Sequence, residues 1–147
     1  MTTGHTLEME RTFAAPARRV FDAFTSEEVM RRWWHASPDW ETPEASVDLR
    51  VGGRVRVVMR DPDSGDRYGG QGEYVEIDPP RRLAFTWTWD DDRAQVQQLI
   101  EIEFQEREGV TTMRFTHRDL WDEEAVRSHE QGWSTAFDNL ARALDRG

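Results

Sequence analysis

Cysteine is absent from the 147-residue chain, so neither a disulfide framework nor a thiolate metal site can form. That absence suits a reducing compartment, and a cytoplasmic protein is expected. Lysine is absent as well: all 19 basic residues are arginine. A guanidinium pairs bidentately with carboxylates, of which the chain has 29, although GC-rich coding produces the same bias. Positive charge is scarce overall. A net charge of −10 opposes a phosphate-binding surface, so nucleic acid is not an expected partner. Long apolar runs are missing too, which excludes helical membrane insertion. Met1 to His5 has no basic start and no apolar core, so residues 1–5 read as a short frayed tail and not as a secretory signal. Residues 6–147 then read as a single domain, long enough for one sizeable core.

Metal and cofactor signatures are lacking. Asp61, Asp63 and Gly65 resemble the start of a calcium loop, but the twelfth position is Gly72 and not a glutamate. No His/Asp/Glu spacing matches a zinc site. Gly70-x-Gly72 does not continue into a dinucleotide fingerprint, and no βαβ unit surrounds it. Ser134 has neither an elbow motif nor a histidine at a helical neighbour position, so a serine hydrolase is not expected. Glu101 and Glu103 fall on the wet face of a strand by alternation. No metal and no cofactor are expected.

What the chain does have is clear periodicity. Val126, Trp133, Phe137, Leu140 and Leu144 share one stripe at helical spacing, and Ser128, Gln131, Thr135, Asp138, Arg142 and Asp145 lie opposite. This predicts one long amphipathic helix over 123–144. A first strand is predicted around Leu7 to Phe13. After Pro16, Val20, Phe21 and Phe24 form the buried face of a short helix. Ser26 is a good N-cap for a second short helix carrying Val29, Met30, Trp33 and Trp34. Residues 35–44 read as a loop, with His35 exposed. Six strands follow by period-two alternation: Val47/Leu49/Val51, Val55/Val57/Met59, Gly70 to Ile77, Leu83/Phe85/Trp87/Trp89, Ile100/Ile102/Phe104 and Met113/Phe115/His117. Gly52-Gly53, Asp61 to Asp66, Pro79-Pro80, Asp90 to Asp92 and Glu108-Gly109 punctuate them. One wet and one apolar face per strand means an antiparallel sheet, here of about seven strands, and a helix on its apolar side makes an α+β layer arrangement.

Seven tryptophans are many for a chain of this size. Trp33, Trp34, Trp87, Trp89 and Trp133 fall on inward faces or at the mouth of the helix pair. They can line an aromatic pocket with indole N–H groups as polar handles, or simply pack as core. Gly132 interrupts a helix at about 1 kcal/mol relative to alanine, so it buys either close packing or room beside Trp133. His117 faces inward beside Met113 and Phe115, and His129 stands one turn before Trp133. Either can orient a ligand atom or act as a base; a satisfied core histidine is the plain alternative.

Glu10-Arg11-Thr12-Phe13, Ala15-Pro16, Val20-Phe21 and Trp33-Trp34 together resemble the opening of the SRPBCC (START-like) superfamily. Gly52-Gly53-Arg54, Tyr74 through Leu83, Phe85-Thr86-Trp87, Phe115-Thr116-His117 and Gly132-Trp133 continue the resemblance over roughly residues 6 to 145. The nearest branch looks like the heat-shock-protein-90 ATPase activator homologue-like family of small bacterial proteins. The resemblance implies a helix-grip fold, in which a curved antiparallel sheet grips the C-terminal helix around a deep apolar cavity. It does not select a function, because one fold hosts many.

The preferred expectation is binding of a small apolar or aromatic ligand between the sheet and the long helix, without catalysis. The expected lining is Trp33, Trp34, Met59, Tyr74, Phe85, Trp87, Ile102, Phe115, His117, His129, Trp133 and Phe137. Entry is expected between the Trp33-Trp34 helix end, the Asp61–Gly70 hairpin and the start of the long helix. A polyketide cyclase or dehydratase is one alternative, with His117, Tyr74 or His129 as its polar group. A co-chaperone-like interaction module is another, although no apolar stripe is left over for a partner. The chain is expected to be a monomer or a homodimer, the latter through an edge strand or Trp40 and Trp121.

Overall fold

The computed structural model describes residues 4–91 and 96–145. The elements are β1 (His5–Phe13), α1 (Ala17–Thr25), α2 (Glu27–Trp33), β2 (Glu41–Val47), β3 (Arg54–Arg60), β4 (Arg67–Asp78), β5 (Arg82–Trp89), β6 (Gln98–Arg107), β7 (Val110–Leu120) and α3 (Glu123–Asp145). The seven strands form one curved sheet in the order β1-β7-β6-β5-β4-β3-β2, with every pair antiparallel. The chain therefore meanders from β2 to β7, and β1 closes onto β7. α3 lies beneath the sheet, against β1, β7 and α2. β1 begins at His5, inside the segment expected to fray. Residues 1–3 of that segment lie outside the described residues, as do residues 92–95, into which the turn expected at Asp90–Asp92 runs.

Local chemistry explains the joints. Pro16 stands at the N-cap of α1, where a missing N–H is harmless. Ser26 ends α1 and caps α2, its hydroxyl accepting from the Val29 N–H at 3.4 Å. The β6–β7 hairpin turns on Glu108 and Gly109, with φ of 53° and 81°, the two positive values of a type I′ turn. β4 carries its glycines for a different reason. A Cβ on Gly72 would stand 1.6 Å from the Thr86 carbonyl oxygen of β5, and one on Gly70 would stand 2.3 Å from the Trp87 ring. The strand needs bare backbone where β5 and its tryptophan lie across it.

The β2 region differs from the sequence reading. The strand starts at Glu41, within the expected loop, and ends at Val47. Pro43 is tolerated because β2 is an edge strand with a register shift between Glu41 and Glu44. Leu49 and Val51, expected on the inward face of a strand, are 44% and 65% exposed. The chain has already turned: Gly53 N–H donates to Arg50 O at 2.7 Å and Gly52 N–H to Tyr74 O at 2.9 Å. Alternation across a tight turn imitates a strand. These two side chains also leave exposed apolar surface that the sequence reading had assigned to the core.

α3 buries Trp133, Phe137, Leu140 and Leu144 as its stripe predicts, while Val126 is only half-buried. Two contacts from its other faces tie it down. Arg11 of β1 reaches under the sheet to the Asp138 carboxylate and the Ser134 carbonyl. Asn139 is buried and donates to the carbonyls of Trp33 and His35 at 3.4 Å, satisfying the open end of α2.

Candidate functional site

The second half of α3 covers a filled interior. Phe24, Trp33, Phe85, Phe115 and Phe137 are each at most 1% exposed. Phe24 meets Trp33 at 4.7 Å between ring centroids, Trp33 stacks on Trp34 at 5.3 Å, and Phe115 meets Trp133 at 4.7 Å and Phe137 at 5.2 Å. Each such ring contributes roughly 1.5–3 kcal/mol by burial, plus the edge-to-face term. The Trp33 indole N–H donates to the Ala23 carbonyl at 2.9 Å, so it is no handle for a ligand. The deep cavity expected between sheet and helix is thus occupied by side chains of the protein itself.

The open volume lies at one end of this core. A cleft of about 740 Å³ runs between the first half of α3, the segment after α2, and the ends of β3, β4 and β5. Of the twelve expected lining residues, Trp34, Met59, His129 and Trp133 line it. Trp33, Tyr74, Phe85, Trp87, Ile102, Phe115, His117 and Phe137 do not; they are buried behind it in the packed interior. The cleft instead recruits Trp40, Tyr68, Trp89 and Trp121. Trp40 and Tyr68 stack at 5.1 Å with planes only 4° apart. Tyr68 shares strand parity with Gly70, Gly72 and the inward Tyr74, which was a usable signal in the sequence. Trp40 and Trp121 had none, because they sit in connections whose course only the fold defines. Gly132 also lines the cleft, and a Cβ there would meet the Ala36 Cβ at 3.3 Å, so the glycine lets α3 pass close to the segment after α2.

Two histidines stand at and behind the cleft floor, each held by an indole. Trp89 Nε1–H donates to His129 Nε2 at 3.2 Å, and His129 Nδ1–H donates to the Ala125 carbonyl at 2.7 Å. Trp133 Nε1–H donates to His117 Nδ1 at 3.2 Å. His117 Nε2–H then donates to Gln98 Oε1 at 2.7 Å. The imidazole rings meet edge to face at 5.1 Å. His117 is fully buried, and burial, then the neighbouring His129, holds its pKa well below the ordinary 6.5. Hydrogen bonding agrees: a proton on Nδ1 would point at the Trp133 N–H. Gln98, fully buried on β6, is the partner that sequence reasoning missed. His35 is buried rather than exposed, with Nδ1–H donating to Thr42 Oγ1 at 3.0 Å, and Thr42 donating in turn to the Trp34 carbonyl at 2.7 Å. Burial, then Arg142, lowers the His35 pKa.

Tyr74 is 1% exposed, and its hydroxyl has no hydrogen-bond partner. Burial, then the Glu27 carboxylate, raises its pKa. At the outer end of the cleft Arg56 forks onto Asp90 at 2.9 and 3.1 Å and reaches Glu44 at 2.9 Å. Among the described residues, no group of three or more His, Cys, Asp or Glu side chains is placed to hold a metal ion.

A curved antiparallel sheet closed around a long C-terminal helix, with two short helices after the first strand, is the helix-grip class. Within that class the chain belongs to the family described as activator of Hsp90 ATPase homolog 1-like protein, whose family model matches residues 14–145. Among solved structures, the AHSA1 (SPO3351) protein from Silicibacter pomeroyi is 27% identical, over 96% of this chain and 98% of that one, with a TM-score of 0.84. A protein from Rhizobium leguminosarum is 29% identical, over 98% and 96%, with a TM-score of 0.78. Protein CV1439 from Chromobacterium violaceum shares the fold at a TM-score of 0.87 and 21% identity, over 95% and 96% of the two chains. No curated protein matches in sequence. No helix among the described residues is long and apolar enough to cross a membrane.

Proposed function

We propose that this protein binds a small apolar or aromatic molecule in the cleft at the first half of α3, with residues 6–147 acting as one domain in the cytoplasm. The observation that carries the reading is an open volume of about 740 Å³ walled by tryptophan and tyrosine rings, at the edge of an otherwise filled interior. That volume falls in the range of small-molecule sites, roughly 300–1,000 Å³. Binding is supported over catalysis by the two imidazoles: each acceptor nitrogen already receives an indole N–H, so neither offers a lone pair to a substrate proton.

A ligand of about twenty non-hydrogen atoms at about 0.3 kcal/mol each gives a Kd of tens of micromolar. The test is titration with the neutral fluorophore N-phenyl-1-naphthylamine. Saturable enhancement is expected, and Ser128→Trp, which places a large ring in the cleft from an exposed position of α3, should abolish it without lowering Tm. Absence of saturation, or equal uptake by Ser128→Trp, overturns the reading.

A further inference from the structure

We infer that the occupant of this cleft carries an sp2 acceptor oxygen, that of an aryl ketone or an aryl carboxylate, and that the Trp34 indole N–H is the group that donates to it. The inference rests on the binding reading above and adds the ligand's polar group and the residue that orients it.

The inner indoles differ in what they have left to give. Trp33, Trp89 and Trp133 donate their N–H groups within the protein, to the Ala23 carbonyl at 2.9 Å and to His129 and His117 at 3.2 Å each. Trp34 does not. It is 4% exposed, and its Nε1–H meets no acceptor among the described residues. Nor is that N–H sealed in: among the described residues, the Tyr74 hydroxyl is the enclosed side-chain polar atom without a partner. The ring itself is fixed. Trp34 stacks on Trp33 at 5.3 Å and on Trp87 at 5.8 Å, with Trp133 tilted against it at 5.5 Å. With its faces covered by other rings, Trp34 borders the cleft through an edge, and its unsealed N–H lies on that edge. A ligand that covers this N–H without supplying an acceptor leaves a buried donor unsatisfied and is penalised for it.

The carboxylates nearby are committed elsewhere. Glu44 and Asp90 hold Arg56 at 2.9 Å each, and Asp91 also has a partner. His129 Nε2 takes the Trp89 N–H. Donors, by contrast, remain: Trp40 Nε1–H, the Ser128 hydroxyl and the Arg67 guanidinium border the cleft without a protein acceptor among the described residues. His35 contributes one acceptor, Nε2, because its Nδ1–H goes to Thr42, and a separate hydroxyl on the ligand can use it. The open polar groups of the wall are therefore mostly donors, and a few such groups orient a ligand in an otherwise aromatic site.

The test uses three naphthalenes of one shape: 2-acetylnaphthalene, its acceptor-free isostere 2-isopropenylnaphthalene, and 2-naphthoate. Each is titrated into the full chain and into Trp34→Phe, which keeps an aromatic ring but has no N–H. Any change in packing weighs on all three, so the ratio of affinities is the readout. The ratio of ketone to alkene affinity should fall about 2- to 12-fold in the variant, the value of one net hydrogen bond. In the unmutated chain the ketone should move the Trp34 indole proton downfield by NMR and the alkene should not, a reading that does not depend on the variant folding. Naphthoate separates the two sources of oxygen. Tighter binding than the ketone, lost in Arg67→Gln, assigns a carboxylate; weaker binding assigns a neutral carbonyl; either supports the inference. An unchanged ratio, or the same proton shift with ketone and alkene, overturns it and leaves the cleft as a binding site. No saturable change with any of the three removes the binding reading itself, and the inference with it.

Discussion

Acid should weaken the fold through His117 before the carboxylates begin to titrate. The residue is fully buried, its Nδ1 accepts from Trp133 and its Nε2–H donates to Gln98, so the native state holds it neutral. Its native pKa is well below the 6.5 of an exposed histidine. In the unfolded chain the imidazole returns to that ordinary value and takes up a proton that the native state refuses. The unfolded state binds more protons, so stability falls as pH drops below about 6.5 and continues to fall until the native pKa is reached. The limiting slope is about 1.4 kcal/mol per pH unit. Between about pH 7 and about pH 5.5, one such histidine removes on the order of 1 kcal/mol. His35 is shifted in the same direction, by burial first and Arg142 second, and adds a smaller loss of the same sign. Urea denaturation at several pH values measures the decline. His117→Gln keeps a polar side chain beside Trp133 and Gln98 but cannot titrate. Its stability should decline less than that of the parent, by on the order of 1 kcal/mol over the same window. If parent and variant decline in parallel, the buried imidazole is not the sensor and the reasoning fails.

Two further substitutions test the packing. Tyr74→Phe removes a buried hydroxyl that has no partner, so it should raise stability by about 1 kcal/mol, seen as a higher urea midpoint; a loss of that size would mean that the hydroxyl is satisfied. Gly70→Ala drives a Cβ to 2.3 Å from the buried Trp87 ring and should cost about 1–3 kcal/mol by thermal or urea denaturation. A neutral or stabilising result, as chain entropy alone would give, would show that the ring has room to move.

Periodicity was the informative signal here, and it carried the fold most of the way. The stripe from Trp133 to Leu144 set α3, and alternation set β3 to β7 and the inward parity of His117, because each depends on local geometry repeated along the chain. It failed at Leu49 and Val51, where a turn copied the strand pattern. Parity could place twelve residues on the inner surface, but it could not separate those that fill the interior from those that border open space. That division was decided by tertiary structure. Phe24, Trp33, Phe115 and Phe137 arrive from four separate elements and consume the volume under α3, while Trp40, Tyr68 and Trp121 meet at its far end. Whether rings interlock or stand apart depends on distances between segments remote in the chain, and no sequence interval encodes those. The same holds for the imidazoles: their inward direction was legible, but the indole that occupies each acceptor nitrogen comes from another element, so only the folded arrangement fills the acceptor site of each candidate base.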